Sequence, residues 1–334
     1  MDQQTLDSVT RKLKIVDLCC GAGMATVGML EAGGFEADWG VDSWEEAMDA
    51  YSRNTNREGF LTACSVEEAA WEMLDSGPPP DVVLTGPPCQ DDSRANQKAD
   101  KGRGAVKSPA LDAALANKAT WIIMEMVTSQ WTGWCKEQGA RQILKLRDCE
   151  VGGHTSRDRW FAIWGPRDLE IAKETGPGWG VALGIDDPEA RLGTESNNNS
   201  KRWKYAKAPH EPAGACVGGD RRHVLKLRDG TTTRLTAEQE ARLSGFQGLV
   251  LGWTEDGCRF GARNDREANT MVGNGWPKAF GLAIGKAIMK AMSGRNPDRQ
   301  PILEGWYDLD PEWLHEQAVT ARPKTMLDLP ASTF

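Results

Sequence analysis

The sequence is poor in the residues that hold metals and in paired cysteines. Only four histidines occur (His154, His210, His223, His315), and the eight cysteines (Cys19, Cys20, Cys64, Cys89, Cys135, Cys149, Cys216, Cys258) are scattered with no CxxC pair. That spacing argues against a disulfide framework and against a zinc site, so no bound metal is expected. No stretch approaches the ~18 uncharged apolar residues of a membrane span, and Asp2 and Asp7 in a polar start are wrong for a signal peptide. A cytoplasmic protein with no membrane partner is expected. Internal repeats and long low-complexity tracts are also lacking. What remains is a chain of 334 residues with 40% hydrophobic and 26% charged residues, close to the average for a globular protein and long enough for about two domains.

The net charge of −8 argues mildly against a nucleic-acid partner, but its distribution does not. Residues 94–107 hold five basic side chains against Asp100 alone, net +4. Residues 201–229 hold eight against Glu211, Asp220 and Asp229, net +5, with Trp203 and Tyr205 among them. A basic run can be an ordinary solvated face; interleaved aromatics and cations also suit bases and phosphates.

Lys14 to Gly23 reads as an apolar strand running into a turn of small residues, followed by a helix through Val27, Leu30 and Glu31 to Gly33-Gly34. A second short strand, Ala37 to Val41, is closed by Asp42, and an amphipathic helix from Trp44 to Tyr51 follows, making a βαβ unit. Further strands are expected at Pro80–Gly86, Trp121–Val127 and Arg159–Trp164. Strands spaced by helical patterns predict a doubly wound parallel α/β sheet with helices on both faces. The apolar periodicity fades from Gly165 to about Thr232, as in a small inserted domain, and helical signal returns at 237–243 and 277–292. Residues 293–334, with five prolines, read as a C-terminal extension.

Gly21 and Gly23 would let a nucleotide-like cofactor approach the backbone at a helix N-terminus, and Asp42 is placed to accept hydrogen bonds from ribose hydroxyls. Thr26 stands where a dinucleotide fingerprint would have its third glycine, which favours a smaller adenosyl cofactor over NAD. In Thr85-Gly86-Pro87-Pro88-Cys89-Gln90 a strand ends, two prolines stiffen the loop, and a thiol is presented at the ligand-binding edge of an open sheet. Cys89 is therefore a candidate nucleophile. Glu125, inside an apolar strand, must be partnered or kept protonated, and is a candidate general acid with a raised pKa. Arg157 and Arg159 suit the clamping of a phosphate or carboxylate, or are ordinary surface arginines.

Asp17 to Gly23, Asp42, Pro87-Pro88-Cys89-Gln90, Glu125-Met126-Val127, Arg157-Asp158-Arg159, Arg234-Leu235-Thr236 with Arg242 to Phe246, and Gly273-Asn274-Gly275-Trp276-Pro277 follow one another in an order that resembles the DNA cytosine-5 methyltransferases over about residues 15–292. The resemblance implies a Rossmann-like methyltransferase sheet with a small inserted target-recognition domain. It implies an N-terminal arm at 1–14, a catalytic domain at 15–165 and 233–292 that binds S-adenosylmethionine, a target-recognition region at 166–232 and the extension at 293–334. It implies a double-stranded DNA substrate whose target cytosine is flipped out of the helix. Cys89 would then add to carbon 6, Glu125 would hydrogen-bond or protonate nitrogen 3, and Arg157 and Arg159 would hold the flipped nucleotide. Asp17, Gly21, Gly23, Asp42, Pro87 and Asn274 would form the cofactor side. A monomer in a prokaryotic or virus-infected cell, in the context of restriction and modification, follows from the same likeness.

The sequence departs from the family pattern at several positions. Cys19 stands in place of a phenylalanine, Asp91-Asp92 follow Cys89-Gln90, Met126 replaces an asparagine, Thr155 a glutamine and Trp276 a valine, and Thr62–Ser65 offers no carboxylate for adenine. Adjacent carboxylates would raise the pKa of the Cys89 thiol. Met126 removes a polar contact near the transfer site, and Trp276 enlarges a group near the cofactor pocket. Two other readings therefore accompany the first: the same scaffold with a modified donor or an RNA cytosine, and a silent DNA-binding homologue. The presence of both Cys89 and Glu125 argues against silence.

Overall fold

The computed structural model describes residues 11–56, 61–63, 79–87, 111, 112, 114, 115, 118–194, 206–216, 218, 219, 221–248 and 265–292. All of these lie in one compact unit. Cys89, the basic segment 94–107 and the extension 293–334 lie outside the described residues, as do Pro88 and Asp91-Asp92.

In chain order the elements are β1 (Leu13–Leu18), α1 (Met24–Glu31), β2 (Phe35–Asp42), α2 (Glu45–Thr55), β3 (Leu61–Ala63), β4 (Val82–Thr85), β5 (Trp121–Met126), α3 (Thr132–Glu137), β6 (Gln142–Arg147), β7 (Asp158–Trp164), α4 (Trp179–Leu183), β8 (Arg191–Thr194), β9 (His223–Lys226), β10 (Thr232–Arg234), α5 (Ala237–Leu243), α6 (Asp265–Asn274) and α7 (Lys278–Met292). Seven strands form one sheet in the order β3-β2-β1-β4-β5-β7-β6. β1 to β5 are parallel, as expected from the continuous apolar runs of strands covered on both faces. The expectation of a wholly parallel sheet is corrected at one edge: β7 enters between β5 and β6 and runs antiparallel to both. A hairpin-like return needs no long crossover, and the short link from β6 to β7 supplies none. The strand order reverses between β1 and β4, where such sheets open a crevice at their carboxyl ends.

One core lies between the sheet and α1 and α7, with Ile15, Leu84, Ile123 and Phe161 against Met29, Phe280, Ile284 and Ile288. The two helices meet at glycines: a Cβ on Gly28 would lie 2.7 Å from the Lys278 carbonyl oxygen and 3.0 Å from the Gly281 Cα. A second core joins a three-stranded antiparallel sheet, β10-β9-β8, to α5 and α6 through Leu192, Leu225, Leu235, Ala241, Leu243 and Met271. α5 starts with a complete capping box: Gln239 N–H donates to the Thr236 hydroxyl, and Thr236 N–H donates to the Gln239 side chain.

Candidate active site

The first half of the site is the turn from β1 into α1. Within it Cys19, Gly21 and Gly23 have φ of 62°, 51° and 80°, left-handed values that let the chain reverse between strand and helix. Gly23 is fixed by space as well, since a Cβ there would lie 2.9 Å from the Tyr51 ring, whereas a Cβ on Gly21 would meet nothing within 4 Å. Asn54 Nδ2 donates to the Ala22 carbonyl at 2.8 Å and ties the turn to α2. Asp42, the last residue of β2, accepts the Gly21 N–H on Oδ2 at 2.8 Å and the Trp44 N–H on Oδ1 at 2.9 Å. Burial raises its pKa against these hydrogen bonds. Beneath the turn, the buried Asp17 accepts the Thr26 hydroxyl at 2.7 Å, and its carboxyl is pushed up to about 7, chiefly by burial with a smaller push from Asp42. Open space over Gly21 beside a carboxylate with lone pairs to spare fits the nucleoside end of S-adenosylmethionine.

The second half is built from β4, β5 and β7. Leu18 pairs with Thr85 and Thr85 with Met124, so the ends of β1, β4 and β5 stand side by side. β4 runs through Gly86, whose N–H donates to the Leu18 carbonyl at 3.3 Å, to the buried Pro87. Glu125, at the carboxyl end of β5, forms an ion pair with Arg159, their side chains 7% and 14% exposed. Of the two readings of a glutamate in an apolar strand, the structure thus displays the partnered one. Arg157 is buried; its Nη2 donates to the Gly273 carbonyl at 2.7 Å, and its Nη1 lies 3.5 Å from the Cys216 carbonyl. It is therefore no surface arginine: it ties the start of β7 to the end of α6. Upstream, the buried Asp148 accepts both the N–H and the hydroxyl of Thr155 on Oδ2, at 2.8 and 2.7 Å, and burial pushes its carboxyl up to about 6.

Asn274 is the exposed last residue of α6, one residue from the carbonyl that Arg157 holds. Next to it Gly275 packs on Met24, in the first turn of α1. Trp276 is buried edge-on to Phe161 with ring centroids 5.1 Å apart, and its Nε1 lies 3.4 Å from where Gly86 would carry a Cβ. Met126 alternates to the other face of β5 from Glu125, and its sulfur lies 3.6 Å from Cys135 Sγ in α3. Its side chain is thus core rather than a lining of the Glu125 face, which corrects the expectation drawn from the lost asparagine. Asp17, Gly21, Gly23, Asp42, Pro87, Glu125, Arg157, Arg159 and Asn274 all fall along the carboxyl edge of the sheet and the segment packed on it. Sequence reading placed Thr26 but not its bond to Asp17, and missed Asp148 and the pair His223 and Glu240; a polar residue within an otherwise buried stripe was the available signal.

No helix among the described residues is long and apolar enough to cross a membrane. Residues 13–131 match the model of the C-5 cytosine-specific DNA methylase family. The Type II methyltransferase M.HgiGI of Herpetosiphon aurantiacus is 33% identical over 117 residues, which are 34% of this chain and 90% of that protein. M.HgiDI of the same organism, also a Type II methyltransferase, is 35% identical over 118 residues, but the match covers only 37% of its length. Among solved structures, the Entamoeba histolytica methyltransferase EhMeth superposes with a TM-score of 0.57 at 12% identity, over 85% of this chain and 99% of that one. The fold is that of a Rossmann-like methyltransferase. The chain belongs to the C-5 cytosine-specific DNA methylase family.

Proposed function

We propose that the protein transfers a methyl group from S-adenosylmethionine to carbon 5 of cytosine in double-stranded DNA, as a modification methyltransferase. The observation that carries this reading is the buried Glu125–Arg159 pair, at the edge where β4 ends and leads into Pro87, the residue that precedes Pro88-Cys89 in the sequence. Asp42, Gly21, Gly23 and Asn274 would hold the cofactor. When bound, it supplies the methyl group that carbon 5 accepts.

The target base is turned out of the stack, because carbons 5 and 6 are not accessible within the duplex. Cys89 as thiolate adds to carbon 6 and passes electron density to carbon 5. Glu125, in its protonated form, donates its proton toward nitrogen 3 and so neutralises the negative charge that the addition places on the ring, while Arg159 fixes the direction of that carboxyl group. After methylation a proton leaves carbon 5 and the carbon 6–sulfur bond breaks, which restores the aromatic ring and frees Cys89. Residues 166–232 act as the target-recognition region. Support comes from Arg191 and Lys226, exposed and directly opposite one another across β8 and β9: a like-charge pair weakens a sheet and suits a polyanion. One flipped base needs one site, so a monomer suffices.

The test is mass spectrometry of nucleosides from duplex DNA incubated with the protein and S-adenosylmethionine, with an RNA sample in parallel. The expected product is 5-methyldeoxycytidine, absent with Cys89→Ser, a variant that keeps DNA binding. Methylation by Cys89→Ser would remove the nucleophile assignment, and product on RNA alone would move the substrate from DNA to RNA.

A further inference from the structure

Among the described residues, a buried polar cluster outside the catalytic edge is not used by the proposed chemistry. Cys216, His223 and Glu240 place potential ligand atoms within 4.8 Å of one another, all buried. Hydrogen bonds inside the cluster engage the Cys216 thiol, the Glu240 carboxylate and His223 Nδ1, while the buried His223 Nε2 has no hydrogen-bond partner among the described residues. Glu240 accepts the His223 N–H on Oε1 at 2.7 Å and contacts His223 Nδ1 through Oε2 at 2.8 Å, the two side chains being 1% and 2% exposed. The Cys216 thiol donates to the Glu240 carbonyl at 3.5 Å, and the Ser244 hydroxyl to Cys216 Sγ at 3.5 Å.

The position of Glu240 is what calls for a reason. The buried stripe of α5 is Ala237, Glu240, Ala241 and Leu243, and a carboxylate stands in it where an apolar side chain would pack. An apolar contact between α5 and the three-stranded sheet would be as strong or stronger, but it is non-directional and lets the two surfaces slide. Two hydrogen bonds from one carboxylate to the backbone and ring of one residue fix both translation and rotation. His223 is the first residue of β9; it pairs with Thr194 of β8, and its carbonyl accepts the Leu235 N–H at 3.0 Å. α5 in turn is anchored to the catalytic frame, since the Ser244 carbonyl accepts the Lys278 N–H at 2.8 Å. Arg157 approaches the Cys216 carbonyl from the other side.

We propose that His223 and Glu240 are a positioning pair that sets the pose of the β8-β9-β10 sheet on α5, and that this pose determines which DNA sequence is methylated. The proposal rests on the reading above, in which β8 and β9 belong to the target-recognition region and β10 joins them to the catalytic domain. Because neither residue belongs to the Glu125–Arg159 pair or to the cofactor turn, the pair acts on target discrimination and on KM for DNA rather than on kcat or KM for S-adenosylmethionine.

The test uses the full chain and phage DNA of known sequence, with methylated positions read by sequencing and amide hydrogen exchange measured in parallel. The double variant His223→Leu with Glu240→Met replaces the side-chain pair by apolar packing, and its fold is checked by circular dichroism before the kinetics are compared. It is expected to raise KM for DNA about tenfold, to keep kcat within about threefold, to spread methylation to near-target sites, and to lose exchange protection at β8 and β9 but not at β1 and β4. Glu240→Gln, which retains the shape and an acceptor for the His223 N–H, is expected to restore the wild-type pattern. An active double variant with unchanged sites and unchanged KM for DNA would overturn the proposal, as would equal losses in kcat and in both KM values. A wild-type protein that yields no product on DNA overturns the activity reading itself, before the variants are compared.

Discussion

At the residue scale the site is a set of buried and half-buried carboxylates, each held by a polar partner. Glu125 has a guanidinium, Asp42 two backbone N–H groups, and Asp17 and Asp148 have hydroxyl donors. Removing a partner from such a group costs more than the pair itself contributes, because the remaining charge stays buried. Arg159→Ala is therefore expected to lower kcat by about 100-fold and to destabilise the fold by about 3 kcal/mol, measured by steady-state kinetics and urea unfolding. The carboxyls of Asp17 and Asp148, near 7 and 6 against an ordinary 3.8, also make stability depend on pH. A raised pKa means that the folded chain holds protons the unfolded chain has released. The stabilisation is complete below about pH 4 and is lost as pH rises through 6 and 7. The melting temperature is expected to fall between pH 5 and pH 8, and Asp17→Asn, which can still accept the Thr26 hydroxyl, to flatten that fall. An equally steep profile in the variant would mean that another group titrates.

At the element scale, contact between α1 and α7 depends on the absence of side chains. Gly28→Ala would press a methyl group into the Lys278 carbonyl at 2.7 Å, and a loss of about 2 to 3 kcal/mol in unfolding free energy is expected, with no change in the DNA sites methylated. Much of this element structure is legible in the sequence: β1, β4, β5 and β7 are largely apolar runs, α1 is bounded by glycines, α5 starts at a capping Thr, and α7 carries helical periodicity. The direction of β7 is not, because an apolar strand reads the same whether its neighbours run with it or against it. β6, with Gln142, Lys145 and Arg147, is an edge strand and lacks the fully buried signature. The partner of Glu125 could be named only by the pairing of β5 with β7, which brings Arg159 to it from 34 positions away in the chain. The role of Glu240 was hidden for a related reason. In a helical stripe a lone carboxylate looks like a solvated residue until the strand that covers it is known.

At the scale of the whole molecule, a net charge of −8 coexists with a sheet whose exposed side chains include Arg191, Lys226, Arg228 and Arg234. Long-range repulsion of DNA by the rest of the surface is screened within about 8 Å at physiological salt, whereas contacts to phosphate are local. Binding to duplex DNA is expected to weaken steeply as salt rises. Lys226→Ala should weaken it on all sequences alike and reduce the slope of log affinity against log salt by about 1, as read by fluorescence anisotropy. A sequence-dependent loss would instead assign Lys226 to the reading of bases. The meeting of Gly28 with Gly281 carries a consequence in time. Phe280, Ile284 and Ile288, which cover the inner face of the cofactor turn and β1, are made some 250 residues after them. At translation speeds of roughly 5 to 20 residues per second, the nascent chain keeps that face uncovered for tens of seconds. Its apolar surface is then open to chaperones, so the cofactor crevice is synthesised well before the helix that closes it.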